Sequence, residues 1–470
     1  MSSFPPSDPA RQLFQSSIAE PYRVKVVEKL NLPDRGERER ILKRADYSPV
    51  YLDSADVFVD LITDSGTAAM SDVQWSALMR GDEAYMGSRS YATFRAAARE
   101  VTGFHEIVPT HQGRAAENIL MELLVNPGDI VLANTHFDTT RAHVLNQKAV
   151  PVDLVGDWLW SFREPMPFKG NFDLGKLEAA LRAHRGKVPI IIATVTNNFA
   201  CSSPVSMENL RAVRRLADAH GVKLFFDAAR FAENAFFIKQ REAGYAHRRV
   251  ADIALEMFNL GHGAWVSAKK DAMVNIGGFI ATNDSALADN CRGRLVLYEG
   301  FPTYGGLARR DLEAIAVGLR EALDEDYLEH RIALVAHLGE AMRRAGAVVS
   351  LPVGGSGVFV DVEAMYPQLP PERLPGIALC ADFYLEGGIR VGAAPFSMHS
   401  VDGAGQIVDK VFQFARFAVP RRVFSKAHLD YVAEVTRRVV SVAKKSRGYR
   451  TVHKPEVLGH FFAKFAPVEA

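Results

Sequence analysis

The sequence predicts an α/β protein built on a mostly parallel sheet wrapped by helices. Three observations carry that expectation: short apolar runs rich in Val, Ile and Phe, amphipathic stretches between them, and turn and cap residues where the two alternate. The runs are Ile130–Ala133, Pro189–Val195, Val222–Phe226, Gly263–Ser267 and Gly278–Thr282. Their unbroken apolarity suits strands covered on both faces, as in a parallel sheet. One helix is read over Met207–His220, with Ser206 as its N-cap and Leu210, Val213, Leu216 and Ala217 on one face. Gly221 follows, where a left-handed glycine closes a helix. This alternation extends from about Val57 to Asn283, and helical patterns continue from Arg310 through Ala345. A second α/β region, punctuated by Gly354-Gly355 and Gly387-Gly388, runs to the C-terminus. The expected division is an N-terminal arm over 1–20, a segment 21–60 packed with the smaller unit, a large domain over 61–322 and a smaller one over 323–470.

Composition narrows the class. The 470 residues are 48% hydrophobic and 24% charged, an ordinary globular balance. Formal net charge is +1, with the charges interspersed rather than gathered on a basic face for nucleic acid. Short clusters such as Arg437-Arg438 and Lys444-Lys445 read as solvated helix faces. Cys201, Cys291 and Cys380 are far apart, with neither a disulfide framework nor metal spacing. That usage suits a reducing compartment. Met1–Ser16 lacks the apolar core of a signal peptide, and no run approaches the ~18 apolar residues that span a bilayer. The expectation is a cytoplasmic protein without nucleic-acid or membrane partners.

Four features bear chemistry. Gln112-Gly113-Arg114 stands between an apolar run and a periodic helix, where a glycine lets backbone N–H groups approach an anion. Asp227 closes a buried strand in FFDAAR (225–230), at the strand end where ligands bind in open α/β sheets. Lys270 closes SAKK (267–270) after another apolar run; a lysine in an apolar cleft has a lowered pKa and becomes a nucleophile. Taken singly, these are also an ordinary turn, a helix cap and a surface lysine. The fourth feature is their order, with Asp227 placed 43 residues before Lys270. A strand-end aspartate followed by a strand-end Ser-x-x-Lys meets the needs of a pyridoxal cofactor, which takes a lysine for covalent attachment and an acid for its ring nitrogen.

Longer motifs then carry a resemblance. They are TDSGTAAMSDVQW (63–75), GDEAYMGS (81–88), PTHQGRAAEN (109–118), FDTTR (137–141), SAKKDAMVNIGGF (267–279), YEGFPTYGGLA (298–308) and AVPRRVF (418–424). Over about Pro21 to Phe465 the chain resembles the β-eliminating lyases, the family of tryptophanase and tyrosine phenol-lyase. The resemblance implies the aspartate-aminotransferase-like pyridoxal-phosphate type I fold and a homotetramer with active sites at subunit interfaces. It implies Lys270 as the cofactor lysine with Lys269 its cationic neighbour, and Gln112, Gly113, Arg114 and Ser267 around the phosphate. Phe137 would stack on the ring, Asp227 would pair with its nitrogen, and Arg230 and Asn198 would lie near its hydroxyl. Arg416 would grip the substrate carboxylate, with Thr63, Ser65 and Asn198 nearby. Tyr85 resembles the general acid, and Gly66, Glu83 and Asn275 resemble groups that bind potassium.

The leaving group divides the family. Asp138 and His460 resemble tryptophanase, where the phenol-lyases carry threonine and phenylalanine. Ala394 stands where phenol-lyases place an arginine and tryptophanases an isoleucine. Ala393 replaces an acidic residue, and Val50 replaces a phenylalanine. The expected reaction is β-elimination of an aromatic amino acid, tryptophan or a substituted tryptophan, to indole or its analogue, pyruvate and ammonia. The alternatives are a lyase of the same fold acting on tyrosine, an S-substituted cysteine or another bulky β-substituted alanine, and a non-catalytic paralogue.

Overall fold

The structure, a computed structural model, describes residues 9–402, 405–456 and 459–469. Its larger sheet has seven strands, in the order Glu106–Thr110, Gly278–Thr282, Gly263–Ser267, Lys223–Asp227, Ile190–Thr194, Ile130–Ala133 and Val150–Asp153. Pairing is parallel throughout, except that Gly278–Thr282 runs antiparallel to both its neighbours. Successive side chains enter opposite cores. Ile191, Ala193, Leu224, Phe226, Ala264 and Val266 join one, while Ile190, Ile192, Phe225 and Trp265 join the other. Burial on both faces explains the continuous apolar runs. The helix Met207–His220 has the expected caps. The Ser206 side chain accepts from the Asn209 N–H, and Gly221 is left-handed at φ 66°.

The smaller sheet joins Val59–Leu61, Ile389–Val401, Ile407–Ala418 and Gly357–Asp361 in that order. Ile41, Leu42, Leu52, Val57, Val59 and Leu61 belong to its core. The 20-residue helix Glu325–Arg344 is shared: Tyr327, Leu328 and Ile332 pack in the larger core, and Leu334, Val335, Leu338 and Met342 in the smaller. Within the expected N-terminal arm, Pro9–Ser17 forms a helix, and Gln15 donates to Glu329.

The parallel strands all end on one edge of the larger sheet, so the turns after Thr110, Ala133, Thr194, Asp227 and Ser267 converge there. The antiparallel neighbour makes the connection from Ser267 to Gly278 a loop that returns beside its own strand, with Ser267 opposite Gly278.

Candidate active site

A cavity lined mostly by polar and charged side chains opens on that edge. Gln112, Gly113, Arg114, Phe137, Asn198, Asp227, Arg230, Ser65, Ser267, Lys269 and Lys270, all anticipated from the sequence, line it. Two glycines shape its floor. A Cβ on Gly113 would stand 2.7 Å from the Ser267 Cβ, and one on Gly278 would stand 2.7 Å from the Gly113 nitrogen. Both clashes fall below van der Waals contact, so only glycine lets the start of the helix Gly113–Leu124 lie against the Ser267 strand end. That leaves unpaired helix N–H groups facing the cavity, the arrangement that holds a phosphate.

The charged groups are strongly perturbed. Burial, with Arg230 alongside, lowers the Lys270 amine to about 8; Asp64, Asp227 and Glu117 oppose that shift. Its Nζ donates to the Ser267 hydroxyl at 3.1 Å. Burial, and then Glu117, push the Asp227 carboxyl up to about 7. Burial lowers Lys269, whose Nζ donates to Gln112 Oε1 at 3.2 Å. Burial lowers the Arg416 guanidinium, which donates to Asn198 Oδ1 at 2.9 Å and to the Ile62 carbonyl at 3.2 Å. Phe137 stacks on Phe199, their centroids 5.8 Å apart.

Several groups escaped the sequence analysis. Glu117, Thr139, Thr194 and Thr196 also line the cavity. Glu117 is buried and accepts from the Thr139 hydroxyl at 2.6 Å. Its signal was a carboxylate one turn after Gly113 on the buried face of an apolar-periodic helix. The Thr196 hydroxyl is buried without a partner among the described residues. Asp64 lies in TDSGTAAM and accepts from Nε and Nη2 of Arg230, at 2.9 and 2.8 Å.

Other anticipated residues lie apart. Tyr85 is 57% exposed, outside the cavity lining, among Phe301, Tyr304 and Arg309. The Thr63 hydroxyl accepts from the Ser65 N–H instead of lining the cavity. Asp138 begins the helix Asp138–Asn146 and acts electrostatically on Arg416. Asn275 donates to the Gly66 carbonyl at 3.1 Å, whereas Glu83 is exposed and no described contact joins it to that pair. Val50 is half-exposed on a turn next to Tyr51, whose hydroxyl donates to the Phe462 carbonyl. Ala393 pairs with Ala415 and Ala394 with Phe414, beside Gly392 opposite Arg416. The side chains of Ala394 and His460 lie outside the described residues.

A lysine of lowered pKa and a buried carboxyl, facing one cavity at the carboxyl edge of an α/β sheet, define an enzyme whose chemistry turns on that lysine. Comparison then gives the family: residues 60–435 match the family Beta-eliminating lyase, and the chain belongs to it. The chain is 47% identical over 454 residues to a tryptophanase of Salinibacter ruber, covering 96% of each chain. It is 47% identical over 458 residues to a probable tryptophanase of Aeropyrum pernix, covering 96% of this chain and 97% of that one. To a tyrosine phenol-lyase of Symbiobacterium thermophilum it is 43% identical over 456 residues, covering 97% and 100%. Among solved structures, a SepCysS–SepCysE N-terminal domain complex superposes with a TM-score of 0.54 at 12% identity, over 83% of this chain and 96% of that one, a likeness of fold alone. The protein is a lyase with the pyridoxal-phosphate type I fold.

Proposed function

We propose that this lyase carries out pyridoxal-phosphate-dependent β-elimination of an aromatic amino acid, tryptophan or a ring-substituted tryptophan. One observation carries it: Lys270, its amine lowered to about 8, shares a cavity with the buried Asp227. The cofactor fits the groups present. The Gly113–Ser267 approach brings the start of the helix to the cavity, and the buried Thr196 hydroxyl has no partner among the described residues, one that a ligand would supply. When bound, the cofactor supplies a ring that spreads the electron pair left at Cα.

The rest falls to the chain. Gly113, Arg114 and Ser267 would hold the phosphate, with Gln112 and Lys269 beside them, and Lys270 would take the covalent link. Asp227 would accept from the ring nitrogen, Phe137 would cover the ring, and Arg230 and Asn198 would serve the ring hydroxyl. Arg416 pairs with the substrate carboxylate through two N–H donors. Released when the substrate's amine takes its place, Lys270 would accept the Cα proton; an amine lowered to about 8 is uncharged often enough near neutrality to do so. The leaving group departs with a proton from Tyr85 of a neighbouring copy. Substrate and water thus yield indole or its analogue, pyruvate and ammonia.

The exposed Trp75, Met79, Tyr85 and Met86 support a homotetramer with sites at its interfaces. The paired Gly66 and Asn275 support a potassium site that Glu83 completes across that interface. Three free, buried cysteines suit the cytoplasm. No helix of the described residues is long and apolar enough to cross a membrane.

A second reading rests on the small residue type at Ala394, on the strand that pairs with the Arg416 strand. It favours a differently shaped substituent, on tyrosine, an S-substituted cysteine or another β-substituted alanine.

Purified protein is expected to show an absorption band of lysine-bound cofactor that borohydride abolishes, and Lys270→Ala is expected to lack it. Absence of the band sinks the cofactor reading. Pyruvate release from tryptophan supports the substrate; release from tyrosine and none from tryptophan replaces it.

A further inference from the structure

We propose that Arg421 is a positioning residue of the reaction, holding the turn that carries Lys270 in register with Arg230 and with the strand that carries Arg416. This rests on the function proposed above and assigns a role to a residue that touches neither cofactor nor substrate.

Arg421 is fully buried and binds carboxylates from three separate parts of the chain. Its Nη1 donates to Asp64 Oδ2 at 2.9 Å, and its Nη2 to Glu233 Oε1 at 2.7 Å and Asp271 Oδ1 at 3.0 Å. Each partner leads back to the active site. Asp64 holds Arg230 through both its oxygens. Asp271 follows Lys270 directly, and its second oxygen accepts from the Ala232 N–H at 2.8 Å, tying that turn to the helix Phe231–Arg241. Glu233 lies on that helix and also accepts from Arg331 at 3.2 Å. The other flank of the lysine turn is pinned where the Gly66 N–H donates to the Lys269 carbonyl at 2.7 Å, two residues past Asp64. Arg421 itself follows the strand Ile407–Ala418, on which Arg416 sits.

Among the described residues, three carboxylates (Asp64, Glu233, Asp271) and three guanidinium groups (Arg230, Arg331, Arg421) thus close one buried network. Removing one member leaves an uncompensated charge in a low-dielectric interior next to the lysine turn. The charged groups that act most strongly on Lys270 are Arg230, Asp64, Asp227 and Glu117; Asp271 is its chain neighbour, and Arg421 bonds both Asp64 and Asp271. Arg421 reaches Lys270 through its chain neighbour Asp271, and neither Arg421 nor Asp271 lines the cavity.

Opposite charge removals give opposite signs, which loosening of the fold does not. Holoenzymes of R421Q, R421K and D271N are titrated from about pH 6 to about pH 10, following the absorbance of the lysine-bound cofactor. Burial pushes the Asp271 carboxyl up to about 7, so D271N removes a negative charge only above that pH; there the midpoint is expected to fall by about half a pH unit in D271N and to rise by a similar step in R421Q, where a positive charge is lost. R421K keeps the charge and is expected to stay near the wild-type midpoint. In R421Q, kcat is expected to fall about tenfold with a smaller change in KM, since no substrate contact is removed. Shifts of the same sign in R421Q and D271N, or unmoved midpoints in folded variants, overturn the proposal. If R421Q does not fold, R421K and D271N decide: the first must stay and the second must fall. A wild type lacking any borohydride-sensitive band refutes the proposed function instead, a different result from a band whose midpoint ignores these charges.

Discussion

Asp227 and Lys270 are held where water would not leave them. Burial raises the carboxyl to about 7 from 3.8 and lowers the amine to about 8 from 10.5. The sign for Asp227 follows from its raised value. Between about pH 4 and pH 7 the folded cofactor-free protein retains a proton that the unfolded chain has lost, so stability falls as pH rises through that window. Asp227→Asn removes that penalty. Above pH 7 the cofactor-free variant is expected to melt higher than the wild type, by roughly 1–2 kcal/mol of stability, and below pH 4 to match it. Circular dichroism melts at the two ends of the range check this; a lower melting point above pH 7 contradicts it. Activity is expected to be lost in the same variant, because the acid beside the cofactor is what the instability serves. At this scale much of the site was legible. Lys270, Asp227, Gly113 and Ser267 announce themselves by type and position at strand or helix ends. Glu117, Asp64 and Arg421 do not, because each draws its meaning from a partner far along the chain: Arg421 meets Asp64 357 residues away.

Among the elements, the decisive contact is a helix start pressed on a strand end. Gly113→Ala improves helix propensity in isolation, yet its Cβ would lie 2.7 Å from the Ser267 Cβ. The helix must retreat from the strand, and with it the N–H groups that face the phosphate. Cofactor affinity is expected to drop about tenfold or more, read by absorbance titration of the cofactor-free protein, while its melting temperature moves little. The elements themselves were largely readable. Gly263–Ser267, Gly278–Thr282, Ile130–Ala133 and Met207–His220 lie where periodicity and caps put them. Strand direction was not: apolar runs carry no sign, and Gly278–Thr282 proves antiparallel. The long hairpin of Ile389–Val401 and Ile407–Ala418 also went unread, since its residues mix polar and small types without the alternation that marks a half-buried strand.

On the scale of the whole molecule, the cavity of one chain lacks Tyr85, which stands exposed among aromatic neighbours on the outer surface. If each site borrows Tyr85 from another copy, then Lys270→Ala and Tyr85→Phe, each deficient alone, are expected to complement. Mixed, dissociated and reassembled, they should regain up to about a quarter of wild-type pyruvate release, since random pairing unites an intact lysine with an intact tyrosine in that share of sites. No recovery would place the tyrosine and the lysine in the same chain's site.

The helix Glu325–Arg344 gives the two halves of the molecule a common spine. Its first turns are sealed in the core beneath Lys270, and its last in the core beneath Arg416. A rod of 20 residues is about 30 Å long and resists both stretching and sliding. The strand that carries Arg416 is therefore tied to the larger half twice, through this rod and through the ion pairs of Arg421 just beyond its end.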